Sequence, residues 1–98
     1  MDTLPKFIWL YALCNDTNEE IYIGISDNPD RRIVEHNKGK NRYTKAFLPW
    51  SIFYLERFND YGSARVGEKY YKRSNNKKKL RLHLENWRNT GELIRVLN

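Results

Sequence analysis

Tyr22, Gly24 and Arg32 fall within one short stretch, IYIGISDNPDRR (Ile21–Arg32), whose character changes halfway. β-Branched and aromatic residues alternate as far as Gly24, and Asn28-Pro29 then opens a helix. Arg32 and His36 stand four apart on that helix and so share a face. Tyr11 lies on an earlier apolar run, and Glu68 stands near Gly67, Tyr70 and Tyr71 in the middle of a later helix. Each group has a chemistry to offer. A guanidinium fork grips anions, an imidazole carries protons near neutral pH, a carboxylate can hold a hard cation, and a phenol both donates and accepts hydrogen bonds.

The elements that must bring these groups together can be read in chain order. KFIWLYALCN is a dense apolar run with Trp9 and Tyr11 on one face, Leu10 and Ala12 on the other. Turn residues (NDTNEE) separate it from IYIGI, so Phe7–Cys14 and Ile21–Ile25 form a β-hairpin that can set Tyr11 beside Tyr22. Gly24 marks a bulge, or a close approach of a side chain or ligand to the backbone. Asn28 at the N-cap, Pro29 at the first helical position and Asp30 in the first turn start a helix, and Gly39 stops it after Lys38. KNRYTKAF is a basic, partly helical connection ended by Pro49, and WSIFYLERF is a third strand. Asp60 caps a helix over YGSARVGEKYYKR. Another helix follows Ser74-Asn75-Asn76, with Leu80, Leu84 and Trp87 on one stripe and Gly91 as its C-cap. The tail ELIRVLN reads equally as a short strand or a helical turn. The order β-β-α-β-α-α predicts an α+β fold, a central three-stranded antiparallel sheet flanked by helices.

Composition narrows the class. A chain of 98 residues has room for one core, and 40% hydrophobic content with three Trp, seven Tyr and four Phe is enough to build it. No apolar run approaches the roughly 20 residues of a membrane helix, and residues 1–5 carry no basic-then-apolar leader. The lone Cys14 excludes an internal disulfide, and with only His36 and His83 beside it a Cys/His zinc site is excluded too. A cytoplasmic protein is expected. The net charge of +6 points to a polyanionic partner, because each phosphate met by Lys or Arg releases condensed counterions.

The ordered set Tyr11, Tyr22-Ile23-Gly24, Arg32, His36 and Glu68 resembles the GIY-YIG endonuclease family. Trp9-Leu10-Tyr11 stands where the first motif element stands, with only its tyrosine in literal agreement, and Tyr22-Ile23-Gly24 is the second element intact. Arg32 falls at the family's arginine, His36 at a position the family fills with His or Tyr, and Glu68 at its metal-binding glutamate. EHNKGKNRYTKAF and YYKRSNNKKKLRL look like the small stand-alone bacterial members. The resemblance implies a single domain over residues 1–98, with a motif core at about 8–82 and a C-terminal helix and tail at 77–98. It also implies hydrolysis of a DNA phosphodiester with one divalent cation, Mg²⁺ or Mn²⁺, leaving 5′-phosphate and 3′-hydroxyl ends.

The residues suit that chemistry. The transition state gathers charge on the non-bridging oxygens, where a fixed guanidinium at Arg32 gains most. Glu68 can hold an ion that stabilises the departing oxygen. Tyr22 is the candidate base and Tyr11 its hydrogen-bonding partner. A phenol of ordinary pKa near 10 needs help as a base, from the charge of Arg32 and from His36 taking the proton onward. Gly24, Arg31, Lys38, Lys40, Tyr43, Lys45, Lys69, Lys72, Arg73, Lys77 and Lys78 are candidate DNA contacts, with Gly24 leaving room for the DNA backbone. Repair intermediates such as branched DNA are the expected substrates, with targeting by DNA structure or by a protein partner.

Blander readings exist for each residue alone. Tyrosines pack in strands, Arg31 can simply pair with Glu35, and the run Arg73, Lys77, Lys78 and Lys79 can be a solvated face, although its density near Lys69 and Lys72 favours one phosphate-tracking face. A catalytically silent nucleic-acid-binding module would have lost the acid or the arginine, and this chain keeps both. A small basic interaction domain would need none of the five. The joint pattern in its correct order favours the nuclease.

Overall fold

A computed structural model describes residues 6–17 and 19–98; the reading of residues 1–5 lies outside them. Strands β1 (Ile8–Cys14), β2 (Tyr22–Ser26) and β3 (Ser51–Phe58) form the expected antiparallel unit, with β1 in the middle. A fourth strand, β4 (Ile94–Leu97), joins the open side of β3 in parallel, giving a mixed sheet of order β2-β1-β3-β4. The ambiguous tail is thus a strand. Ile94 and Val96 pack on the core while Arg95 and Leu97 face solvent, the period-two alternation of a half-buried edge. A parallel pair needs a long crossover, and α2 (Tyr61–Lys72) with α3 (Ser74–Thr90) supplies it.

The sheet is covered on both faces. On one, Leu10, Ala12, Ile21, Ile23 and Phe53 pack with Leu80 and Leu84 of α3. On the other, Tyr11, Leu13, Trp50 and Leu55 pack with Ile33 of α1 (Pro29–Asn37) and Phe47 of a 3₁₀ turn (Thr44–Phe47). The alternation read in β1 therefore assigns Tyr11 to the α1 face.

The helix ends follow their local chemistry. Asn28 Oδ1 accepts from the Arg31 N–H with Pro29 following it, and Asp60 Oδ1 accepts from the Ser63 N–H at the start of α2. Gly39 and Gly91 take the left-handed conformation that ends α1 and α3. α3 begins earlier than expected. Ser74-Asn75-Asn76 forms its first turn, and Asn76 Nδ2 donates to the Tyr70 carbonyl at the end of α2, so the polar triplet joins the two helices at a corner.

Candidate active site

Tyr11 sits mid-strand on β1, opposite Gly24 in the β1–β2 register, and is 1% exposed. Gly24 is what allows it to lie there. A Cβ at that position would stand 2.5 Å from Tyr11 Cζ and closer still to the hydroxyl oxygen. The room above Gly24 is filled by the phenol, and Gly24 is buried. The expectation that this glycine admits the DNA backbone is corrected: it admits Tyr11.

The Tyr11 hydroxyl starts a buried chain of hydrogen bonds. It lies 3.1 Å from His36 Nε2, and His36 Nδ1 lies 2.7 Å from Thr44 Oγ1, with His36 and Thr44 both fully buried. Arg32 comes near enough to the Tyr11 hydroxyl for its guanidinium to favour the phenolate. The tautomer that accepts from Tyr11 at Nε2 donates to Thr44 Oγ1 from Nδ1. Thr44 is itself fixed: its N–H donates to Asn41 Oδ1 at 3.0 Å and its carbonyl accepts from Trp50 Nε1 at 2.8 Å. Asn37, at the end of α1, bonds both the N–H and the carbonyl of Trp50.

Tyr22 stands at the margin of this chain, half-buried. Its ring lies edge-on to His36 at 4.9 Å and stacks with Tyr43 at 6.0 Å, and Asn41 Nδ2 donates to its oxygen at 3.4 Å. Arg32 is ion-paired with Glu35 while it reaches Tyr11. Glu68 comes from α2, and its charge is close enough to bear on Tyr11. Its carboxylate is largely buried and pairs with Lys72 Nζ at 3.2 Å. Gly67 sets that depth, because a Cβ there would lie 2.7 Å from Phe58 Cζ and push α2 off β3. Among the described residues no group of three or more His, Cys, Asp or Glu gathers to hold a metal.

Burial settles the protonation of the inner pair. It holds the Tyr11 phenol above its ordinary value, although the nearby Arg32 guanidinium pulls the other way. It holds His36 below its ordinary 6.5, with the charge of Arg32 acting in the same sense. The pair is therefore a neutral phenol and a neutral imidazole near neutral pH. A consequence for stability follows. As pH falls below about 6.5 the unfolded chain takes up a proton at residue 36 that the folded chain refuses, so stability is lost progressively until the buried ring also titrates. Thermal melts at about pH 7.5 and pH 5.5 should show that loss in the wild type, and His36→Gln should remove its share of the slope.

The basic residues divide into separate groups. Lys72, Lys77 and Tyr43 line one hollow with Tyr22. Lys69 and Arg73 lie on the outward stripe of α2 with the exposed Val66 and Tyr70, around a second hollow that excludes the tyrosine pair. The single lysine-rich face expected over α2 and α3 is thus split by the helix. Arg31 pairs with Asp27 and Glu35 as a surface ion pair. Lys38, Lys40, Lys45 and Lys78 are exposed.

Sequence reasoning passed over Thr44, Asn41 and Glu35. Asn41 had a local signal, an Asx turn to the Tyr43 N–H. Thr44 had none, since its contact with His36 arises only when the connection folds over α1. Among the described residues no helix is long and apolar enough to cross a membrane.

Two strand tyrosines, a helix carrying arginine and histidine, and a glutamate from α2 thus border one site, and the chain matches the GIY-YIG catalytic domain family. That family matches residues 7–81, and the chain belongs to it; its fold is a nuclease fold. The chain is 33% identical over 92 residues to a UPF0213 protein of Bacillus licheniformis, covering 93% of this chain and 91% of that one. It is 32% identical over 97 residues to the UPF0213 protein YazA of Bacillus subtilis, covering 98% and 94%. A UPF0213 protein of Streptococcus agalactiae is 35% identical over 81 residues, covering 82% and 89%. No solved structure matches.

Proposed function

We propose that the chain is a metal-assisted DNA endonuclease that hydrolyses a phosphodiester to 5′-phosphate and 3′-hydroxyl ends. The observation that carries this reading is convergence. His36 bonds the Tyr11 hydroxyl, the charges of Arg32 and Glu68 bear on the same hydroxyl, and Tyr22 packs on His36.

The parts divide by exposure. Tyr11 is buried and holds its proton, so its work is to keep Arg32 and His36 in register. Tyr22, half-exposed with its oxygen held by Asn41, meets the attacking water and takes its proton. His36, fixed between Tyr11 and Thr44, backs the Tyr22 ring, and the proton that Tyr22 gives up as it takes that of the water leaves to solvent on its exposed side. Arg32 places two N–H groups toward a non-bridging oxygen, where charge grows in the transition state. The Glu35 carboxylate holds that fork in place before substrate arrives.

Glu68 fits a single Mg²⁺ or Mn²⁺. Its oxygens are hard donors, it is partly shielded, and it already balances a cation in the Lys72 ammonium. Mg²⁺ needs few protein ligands when waters and phosphate oxygens supply the rest. Bound there, the ion would stabilise charge on the departing 3′ oxygen. The reading extends to repair intermediates in the cytoplasm, with targeting by DNA structure or by a protein partner.

The test is the chemistry of the ends. DNA cut in Mg²⁺ or Mn²⁺, and left whole in EDTA, should be rejoined by a DNA ligase without end treatment. Products that ligate only after phosphatase and kinase treatment would overturn the assignment.

A further inference from the structure

We propose that the hollow beside Tyr22 is a subsite for one unstacked nucleotide next to the cleaved bond; this rests on the nuclease reading above. The hollow measures about 330 Å³ and is lined by Tyr22, Ile23, Tyr43, Lys72, Lys77 and Glu20, among others. That size lies at the low end of the roughly 300–1,000 Å³ of small-molecule sites. It suits one nucleotide and is far too small for a base pair with its backbones.

The lining divides as a nucleotide does. Tyr43 is 47% exposed although it stacks on Tyr22, so the aromatic surface of the active site continues outward onto a ring that solvent reaches. Its hydroxyl donates to Glu20 Oε2 at 3.0 Å, which fixes the ring on its outer side. Burial and the Glu20 hydrogen bond both hold this phenol above its ordinary value, so it offers a neutral face. Lys72 and Lys77 line the same hollow from α2 and α3. Lys77 has no carboxylate within ion-pair distance among the described residues. Lys72 joins the two sites, because it lines the hollow and also pairs with Glu68. The Glu20 carboxylate repels a phosphate from the Tyr43 side and so directs it toward the lysines. A base stacked on Tyr43, with its phosphate on Lys72 and Lys77, satisfies every wall. Stacking on an exposed aromatic requires a base free of its helical neighbours. The substrate therefore presents a displaced nucleotide at the cut, as a single strand, flap or frayed junction does.

The test measures binding in EDTA, apart from cleavage. A short single strand carrying fluorescein and one 2-aminopurine is compared with its fully paired duplex by anisotropy and by 2-aminopurine quenching. The wild type should quench the base and bind the single strand more tightly than the duplex. Tyr43→Ala should abolish quenching and weaken single-strand binding about tenfold or more, leaving the duplex unchanged, whereas Tyr43→Phe should behave as wild type. Lys77→Gln should weaken single-strand binding and lower its salt slope by about one. Unaltered quenching in Tyr43→Ala, or an unaltered salt slope in Lys77→Gln, would overturn the subsite even if DNA is cut normally. Intact, Tyr43-dependent quenching without any cleavage in Mg²⁺ would uphold the subsite and remove the nuclease reading instead.

Discussion

Arg32→Ala should lower the turnover of DNA cleavage about a hundred- to a thousandfold, the range seen when one donor to a developing oxyanion is removed. The residue sits where this loss is largest. Its guanidinium is held between Glu35 and the Tyr11 hydroxyl, and its charge depresses both the Glu35 carboxyl and the His36 imidazole. Removing it takes the fork from the phosphate and leaves the Glu35 carboxylate without its close partner. The two effects separate in kinetics. A residue that only docked substrate would raise KM and spare kcat, whereas one that acts on the transition state lowers kcat. Arg32→Lys keeps the charge and loses the bidentate geometry, so its turnover should fall between wild type and alanine. An Arg32→Ala enzyme with unchanged kcat would remove this residue from the chemistry.

Gly24→Ala should be as damaging to activity, by a different route. The added methyl would overlap the Tyr11 phenol, which is closed in by β2 and by His36 and has no free direction to move. Overpacking of this kind costs about 1–3 kcal/mol, roughly 5–20 °C in Tm for a domain of this size. The ring that gives way carries the bond to His36 and stands beside Arg32, so cleavage should be lost at temperatures where circular dichroism still reports a folded chain. Gly62→Ala is the fitting control, because its methyl would meet only the Asp60 carboxylate, at 3.3 Å, on an exposed helix start. If Gly24→Ala melts and cleaves like wild type, Tyr11 does not occupy the space assigned to it.

What the sequence could carry and what it could not divide along physical lines. Period-two and period-3.6 patterns, with Asn28, Asp60, Gly39 and Gly91 as punctuation, locate three strands, the starts of α1 and α2 and the ends of α1 and α3 because those signals are local. The strand identity of ELIRVLN was undecided because four residues suit either state, and only the open edge of β3 chooses between them. The five polar residues were legible as an ordered set. Their contacts were not. Gly24 was read as an approach for DNA since a glycine announces room without saying what fills it, and the cross-strand register gives that room to Tyr11. Thr44 was invisible for a similar reason, as a buried partner of His36 supplied by a connection with no periodicity. The lysines of α2 and α3 looked like one patch because sequence distance does not say that a helix turns Lys69 and Arg73 away from Lys72.

The central claim is that Glu68, by way of a divalent ion, makes this domain a nuclease. Nicking of supercoiled and branched DNA by wild type and by Glu68→Ala, in Mg²⁺, in Mn²⁺ and in EDTA, tests it most directly. The account predicts metal-dependent nicking by the wild type and none by Glu68→Ala, with both proteins binding DNA in salt-sensitive fashion. Nicking that survives in Glu68→Ala, or no nicking by a folded wild type that still binds DNA, would contradict it.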